Sequence, residues 1–252
     1  MSTALHAEWT KLRTVAAPRW LLLGMIATTV ALSAAAAAVV TCGPTACHGD
    51  PTRLSLTGVQ LGQALAAILA VLVVGGEYGS GMIRTTLTAM PHRVTAFAAK
   101  AVTLAGVVAV AGTVAVLGSL LAGRLILSRP GHPALSLADG PTLRATAGSV
   151  LYLILIALLA LGTAGIVRDS ATSIGAVLGL LYLFPIIAQA IGDPHWQRLL
   201  ERVAPMSAGL TVQATTDLHS LPLGPWAGLA VTAAWATAAL TAGALLLHTR
   251  DA

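Results

Sequence analysis

The sequence predicts an all-α integral membrane protein with six transmembrane helices, and three observations predict it. The 252 residues are 56% hydrophobic and only 9% charged, with a mean hydropathy of +0.84, where an ordinary soluble domain is about 25% charged. Six stretches, at about 20–40, 58–76, 101–123, 147–167, 172–192 and 225–247, are long and apolar. Each can cross a hydrocarbon core about 30 Å thick, which takes about 20 helical residues. The charges fall almost entirely between those stretches, as expected when a charge at mid-bilayer costs about 2.5–3.5 kcal/mol on insertion scales. Residues 1–252 read as a single transmembrane domain.

Residues 1–18 precede the first span. Leu5, Trp9, Leu12 and Ala16 recur at i, i+4, i+7 and i+11, on one helical stripe. Glu8, Lys11 and Arg13 lie off it, and Pro18 closes the segment. This predicts a short interfacial amphipathic helix, its tryptophan at headgroup depth and its cations in water. The alanine run at 34–38 offers small residues for signal cleavage. The apolar stretch is nevertheless about 20 residues, longer than the 7–15 of a signal h-region, and is expected to remain as a span.

Both cysteines, Cys42 and Cys47, lie in the loop that follows, with Gly43 and Pro44 between them. Disulfides persist outside the cytoplasm, and a C-x4-C loop with a Gly-Pro turn can close; a bridge and two free thiols both stay open. Zinc binding with His48 would need a second ligand pair, which is not in view.

The second span ends at Glu77, expected at the membrane boundary because a carboxylate is costly inside. Helix connections in bundles need about 2–8 residues. Residues 77–100 are far longer and carry Glu77, Arg84, His92, Arg93 and Lys100. Within them MIRTTLTA reads as one or two helical turns stopped by Pro91, since proline disfavours helix at the residue before it. So long and polar a segment predicts contact with a partner.

The connection at about 124–142 is rich in Pro, Gly and Ser and reads as irregular. Arg168, Asp169 and Ser170 form a tight turn that forces a helical hairpin, with Asp169 or Ser170 capping the next helix. In the fifth span Tyr182 and Gln189 are polar handles and Pro185 predicts a kink. Beyond it, Trp196, Leu199, Leu200 and Val203 form an apolar stripe opposite Gln197, Arg198, Glu201 and Arg202. This predicts a short extracytoplasmic helix at the interface or dipping into the bilayer, with Trp196, Leu199, Leu200 and Pro205 as a candidate outer gate; a plain surface helix is the alternative. Small-residue pairs at four-residue spacing (Gly58 and Gly62, Gly175 and Gly179, Gly224 and Gly228) mark tight helix seams or a dimer face, or arise by chance among 25 glycines.

Orientation follows the cations near span ends. With the N-terminus inside, Lys11, Arg13, Arg19, Arg84, Arg93, Lys100, Arg168 and Arg250 are cytoplasmic, against Arg53, Arg124, Arg129, Arg144, Arg198 and Arg202 outside. Both termini are then cytoplasmic. Arginine outnumbers lysine 12 to 2 in an alanine-rich chain, which fits a GC-rich bacterial genome. The net charge of +5 is spread over several loops without interleaved aromatics, which argues against nucleic acid. No G-x-x-x-x-G-K-[ST], H-E-x-x-H or G-x-S-x-G sequence occurs. An enzyme is not expected, and any energy source would lie in a partner.

With these residues assembled, the chain resembles an ABC transporter permease of the type 2 exporter family. EWTKLRT before the first span is similar to the family's interfacial helix. EYGSGMIRTTLTAMPHRVTAFAAK is similar to its cytoplasmic loop, with Glu77, the run Gly81, Met82, Ile83 and Arg84, then Pro91, Arg93 and Lys100. Trp196, Pro205, Ala208 and Gly209 match its outer helical connection, and HTRDA its C-terminus. Many members have Gly-Thr where this chain has Gly81 and Met82. The resemblance implies a permease that pairs with a second copy or a paralogue, each bound to a cytoplasmic ABC ATPase subunit. ATP and Mg would sit on the ATPase, with no cofactor on this chain. Residues 82–90 would be the coupling helix; Arg84 and Arg93 would make polar contacts with the ATPase and Ile83 and Leu87 apolar ones, while Glu77 would tie the loop to the N-terminal helix. The location implied is a bacterial cytoplasmic membrane. A stand-alone carrier or channel, or a non-transporting assembly or sensor subunit, are the other readings the residues leave open.

Overall fold

A computed structural model describes residues 9–10, 14, 16–39, 50–79, 93–127 and 139–249. Among these, no strand is present, and the chain is a multi-pass membrane protein in the sense that six helices are long and apolar enough to cross a bilayer. They are α1 (Ala16–Val39), α3 (Val59–Gly79), α4 (Arg93–Leu127), α5 (Gly140–Val167), α6 (Ser170–Ala190) and α9 (Pro225–Thr249). Short helices α2 (Pro51–Ser55), α7 (Pro194–Val203) and α8 (Pro205–Gly209) lie in the connections. The helices alternate in direction, so the bundle has a proximal end, holding the start of α1, and a distal end.

α5 is the central helix. It packs on α3, α4, α6 and α9 and buries Tyr152, Leu153, Ile156, Leu159 and Leu161 completely or nearly so. α1 packs on α3 and α4, away from α5. Exposed apolar side chains such as Leu23, Val110, Leu117 and Leu245 line the outer faces, which suits helices bathed in acyl chains.

Between apolar helices in lipid, association rests on close packing rather than on exclusion of water, and small residues supply it. A Cβ on Gly58 would collide with the Thr29 carbonyl of α1, and one on Gly62 with the Thr29 hydroxyl. The Gly58 amide, just before α3, donates to Ser33 Oγ at 3.0 Å. Of the three expected glycine pairs, this one forms a seam within the chain. Gly175 and Gly179 have nothing near a Cβ; Gly228 faces the Ala208 carbonyl while Gly224 is open.

Three boundaries differ from expectation. Pro18 lies inside the first turn of α1 instead of closing a separate segment. A proline suits a helix start, where its missing N–H has no intrahelical partner to lose. Of the N-terminal stripe, Trp9 and Ala16 are helical, and Leu5 and Leu12 lie outside the described residues. α4 begins at Arg93, so the end of the expected loop is helix; its 35 residues span about 52 Å at 1.5 Å each. The connection at 124–142 is helical up to Leu127 and again from Gly140; residues 128–138 lie outside the described residues.

Pro185 reshapes α6 as expected. Its ring cannot donate and crowds the carbonyl four residues back, and the turn before it widens into a π-helix at Gly179–Leu183. At the α5–α6 hairpin, Arg168 takes a left-handed conformation (φ 63°) that ends α5. Its guanidinium donates to the Leu246 carbonyl of α9 at 3.2 Å, a cation at a helix C-terminus. Asp169 caps α6, accepting from the Thr172 amide at 2.8 Å and the Thr172 hydroxyl at 2.6 Å. The two charged residues thus serve two different helix ends.

Gly62→Ala should destabilise the bundle by about 1–3 kcal/mol through overpacking, whereas Gly175→Ala should be neutral or stabilising within about 1 kcal/mol. Unfolding of both variants by detergent titration reads the contrast, and equal effects would contradict the Thr29 seam. The Thr172 hydroxyl, and then its amide, hold the exposed Asp169 carboxyl below its ordinary range, against a smaller opposing effect of burial. A depressed folded pKa gives stability that is present above the unfolded value of about 3.9 and is lost as pH falls through the folded one. Carboxyl NMR of Asp169 should show the lowered midpoint, and Thr172→Val should raise it.

Candidate functional site

The expected coupling segment is flanked by two helix ends that the structure describes. Glu77 falls in the last turn of α3 and Arg93 opens α4 at the proximal end. Gly81, Met82, Ile83, Arg84, Leu87 and Pro91 lie outside the described residues, as do Cys42 and Cys47. Lys100, expected to close the loop, instead sits seven residues into α4 and is only 5% exposed, about 10 Å along the helix from Arg93. Nearby, the Phe97 ring packs against Gly165 of α5 and Gly243 of α9. This draws the first turns of α4 into the bundle: within RVTAFAAK, Ala96, Phe97 and Ala99 are buried, while Val94 stays exposed.

The distal end is closed by a segment that sequence reasoning read only as part of a connection. Between α7 and α9, residues 204–214 turn into the bundle as α8 and a 3-10 turn, Leu210–Gln213. Pro205, Ala208, Gly209, Leu210, Val212 and Gln213 are all buried. This wedge sits between α5 and α9 and approaches them through glycines on each side. Gly148 of α5 faces Val212, Gly228 of α9 faces the Ala208 carbonyl, and Gly209 of the wedge lies on the Tyr152 ring. Any side chain at these three positions would push the wedge out.

Irregular backbone at membrane depth needs partners from the protein, and side chains supply them. The Thr232 hydroxyl donates to the Pro205 carbonyl at 3.0 Å and Trp235 Nε1 to the Val203 carbonyl at 2.9 Å. Thr232 is seven residues into α9, so the wedge enters about 10 Å below the start of that helix. Arg144 of α5 donates to the Ala214 carbonyl at 2.6 Å. Asp50, from the first connection, accepts from the Thr215 amide, the Thr215 hydroxyl (2.7 Å) and the Thr216 amide (3.2 Å). The same carboxylate caps α2 through the Thr52 and Arg53 amides, both at 3.1 Å.

Below the wedge a chain of neutral polar groups crosses the helices. Gln213 Nε2 donates to Ser149 Oγ at 3.1 Å. One turn on, the Tyr152 hydroxyl donates to Gln63 Oε1 of α3, and the Tyr182 hydroxyl of α6 donates to the Gln60 carbonyl. Tyr152 therefore touches the wedge with its ring and, with its hydroxyl, the helix that leads to Glu77. Of these groups only Tyr182 stood out in the sequence; Gln189, the other expected handle, is exposed. A glutamine or tyrosine flanked by alanines and leucines is the signal that could have found Gln63 and Tyr152.

The residues expected to form an outer gate divide between two elements. Trp196 and Leu199 are exposed and Leu200 half-buried on α7, which buries none of its residues; Pro205 is buried as the first residue of α8. The part that enters the bundle is the wedge, not the amphipathic helix. No protein-family model matches the chain, and a search of curated proteins finds no match.

Asp50→Ala should cost about 2 kcal/mol, the scale of hydrogen bonds to a charged group, and should speed hydrogen exchange at the Thr215 and Thr216 amides. Asp50→Asn, which keeps an acceptor, should recover part of both. Unchanged exchange in the alanine variant would mean the carboxylate does not hold the wedge.

Proposed function

We propose that the chain is the transmembrane permease subunit of an ATP-binding cassette exporter, moving a substrate across the cytoplasmic membrane of a bacterium when driven by a separate ATPase. The observation that carries this reading is the α3–α4 hairpin. The C-terminus of α3 and the N-terminus of α4 lie at the proximal end, where α1 also starts, and in sequence they are joined by the polar residues 80–92 and α1 is preceded by Lys11 and Arg13. In this reading residues 82–90 dock on the ATPase and both termini are cytoplasmic. ATP and Mg stay on the partner, and two permease copies, or one and a paralogue, form the translocating unit.

Closure of the ATPase pair would push on the connection and tilt α3 and α4. α3 is positioned to pass such a tilt on, because it packs on α1, α5 and α6 and bonds through Gln63 to Tyr152. Tyr152 in turn supports Gly209 of the wedge. An outward-open state would then need the wedge to shift, and its glycine contacts and side-chain clamps define the closed arrangement.

The chain is expected to co-purify with a P-loop ATPase from its source cell. Arg84→Glu should weaken that association severalfold while leaving detergent unfolding unchanged. Association that survives replacement of residues 82–90 by a Gly-Ser linker would sink the docking assignment.

A further inference from the structure

α7 meets the rest of the chain along one edge. Gln197, Leu200 and Glu201 are half-buried there, and the other residues of the helix are exposed. The exposed part divides lengthwise into two bands. Trp196, Leu199 and Val203, three and four residues apart, form an apolar band, 55%, 43% and 44% exposed. Arg198 and Arg202, one turn apart, form a basic band beside it, with His195 at its start. Neither neighbouring carboxylate lies in the basic band. Asp193 caps the helix by accepting from the His195 amide at 2.8 Å. Glu201 lies on the half-buried edge and accepts from Gln197 Nε2 at 3.4 Å. Within α7 the exposed charges are thus Arg198 and Arg202, with the exposed Asp193 taken up as the cap.

Its height is set by its neighbours. α7 begins four residues after α6 ends. Arg202 Nε donates to the Pro222 carbonyl at 3.1 Å, three residues before α9 starts, and the exposed Trp226 opens α9 at the same end. An exposed tryptophan at the end of a span is typical of the level at which hydrocarbon gives way to headgroups.

We infer that α7 is a headgroup-binding helix: the band of Trp196, Leu199 and Val203 lies at the acyl boundary, and Arg198 and Arg202 hold the phosphodiesters of anionic lipids in the distal leaflet. Arginine's planar fork pairs with phosphate oxygens two at a time. In both residues Nε is engaged by a backbone carbonyl, Arg198 by Pro194 at 3.1 Å and Arg202 by Pro222. Those bonds orient each guanidinium and leave its terminal nitrogens for the lipid. A helix lying in the interface with its apolar side down and its cations among anionic headgroups has this arrangement. The inference is independent of whether an ATPase partner exists.

The test uses the full chain with Cys42→Ser and Cys47→Ser, spin-labelled at Leu199→Cys and reconstituted in phosphatidylcholine bilayers with or without phosphatidylglycerol. Expected is a label that collides more with oxygen than with an aqueous nickel chelate, and whose nickel accessibility falls further when phosphatidylglycerol is present. Arg198→Gln, which leaves the Arg202 tie to Pro222 in place, should remove part of that further fall, and Arg198→Gln with Arg202→Gln all of it. Three results would overturn the inference. One is nickel accessibility equal to that of a label at the exposed Asp217→Cys, which would place α7 in water or on another protein. The second is a phosphatidylglycerol effect indifferent to both arginines. The third is the same effect produced in phosphatidylcholine by inorganic phosphate.

Discussion

A backbone amide carried into hydrocarbon has no water to bond, so every N–H and C=O at that depth must be answered by the chain itself. Long helices answer the requirement internally, and six of them make up most of this molecule. The wedge between α7 and α9 is where the requirement is hardest to meet, because a five-residue helix and a 3-10 turn leave most of their ends open. Side chains from three distant parts of the chain meet it: Thr232 and Trp235 from α9, Arg144 from α5 and Asp50 from the first connection. The distal architecture follows from where those side chains can reach.

Once polar groups are satisfied, the remaining cohesion is contact. The core is assembled largely from alanine, glycine, leucine and valine, which give little shape of their own. Specificity comes instead from places where one helix lies directly on another's backbone, as at Thr29 against Gly58 and Gly62, and at Ala208 against Gly228. Packed interiors transmit displacement because they have no slack. The tyrosine that joins wedge, α5 and α3 sits among such contacts, with a neutral hydrogen bond in place of an ion pair.

The six spans and the Asp169 cap were legible because each depends on local sequence: length of apolar run in one case, residue type at a helix start in the other. The Pro185 distortion was legible for the same reason. Pro18 was misread because proline serves as well to start a helix as to stop one, and the sequence around it supports both. The early start of α4 was hidden by Arg93 and Lys100, whose charge suggested a loop although Ala96 and Phe97 are buried in the bundle. Pro205, Ala208 and Gly209 stood out in the sequence, but the entry of the wedge into the bundle could not be read. PMSAGLTVQA has no periodicity to mark it, and its burial depends on an aspartate far away that looks, in its own neighbourhood, like an ordinary turn residue. Equal glycine spacing likewise did not distinguish Gly62, pressed on Thr29, from Gly175, with open space beside it.

The Asp50 clamp joins residues 165 positions apart, and that separation has a meaning for biogenesis. When Asp50 emerges from the ribosome, Thr215 and Thr216 have not been made. Four more spans must be synthesised and inserted before the carboxylate can meet them, so the distal closure is among the last tertiary contacts to form. Until then the aspartate has only its cap on α2, and the nascent bundle is open on the side that the finished protein seals. Truncation anywhere before residue 215 would leave a chain able to insert most of its helices but unable to complete that seal, which sets the point in synthesis where quality control could first tell a finished molecule from an unfinished one.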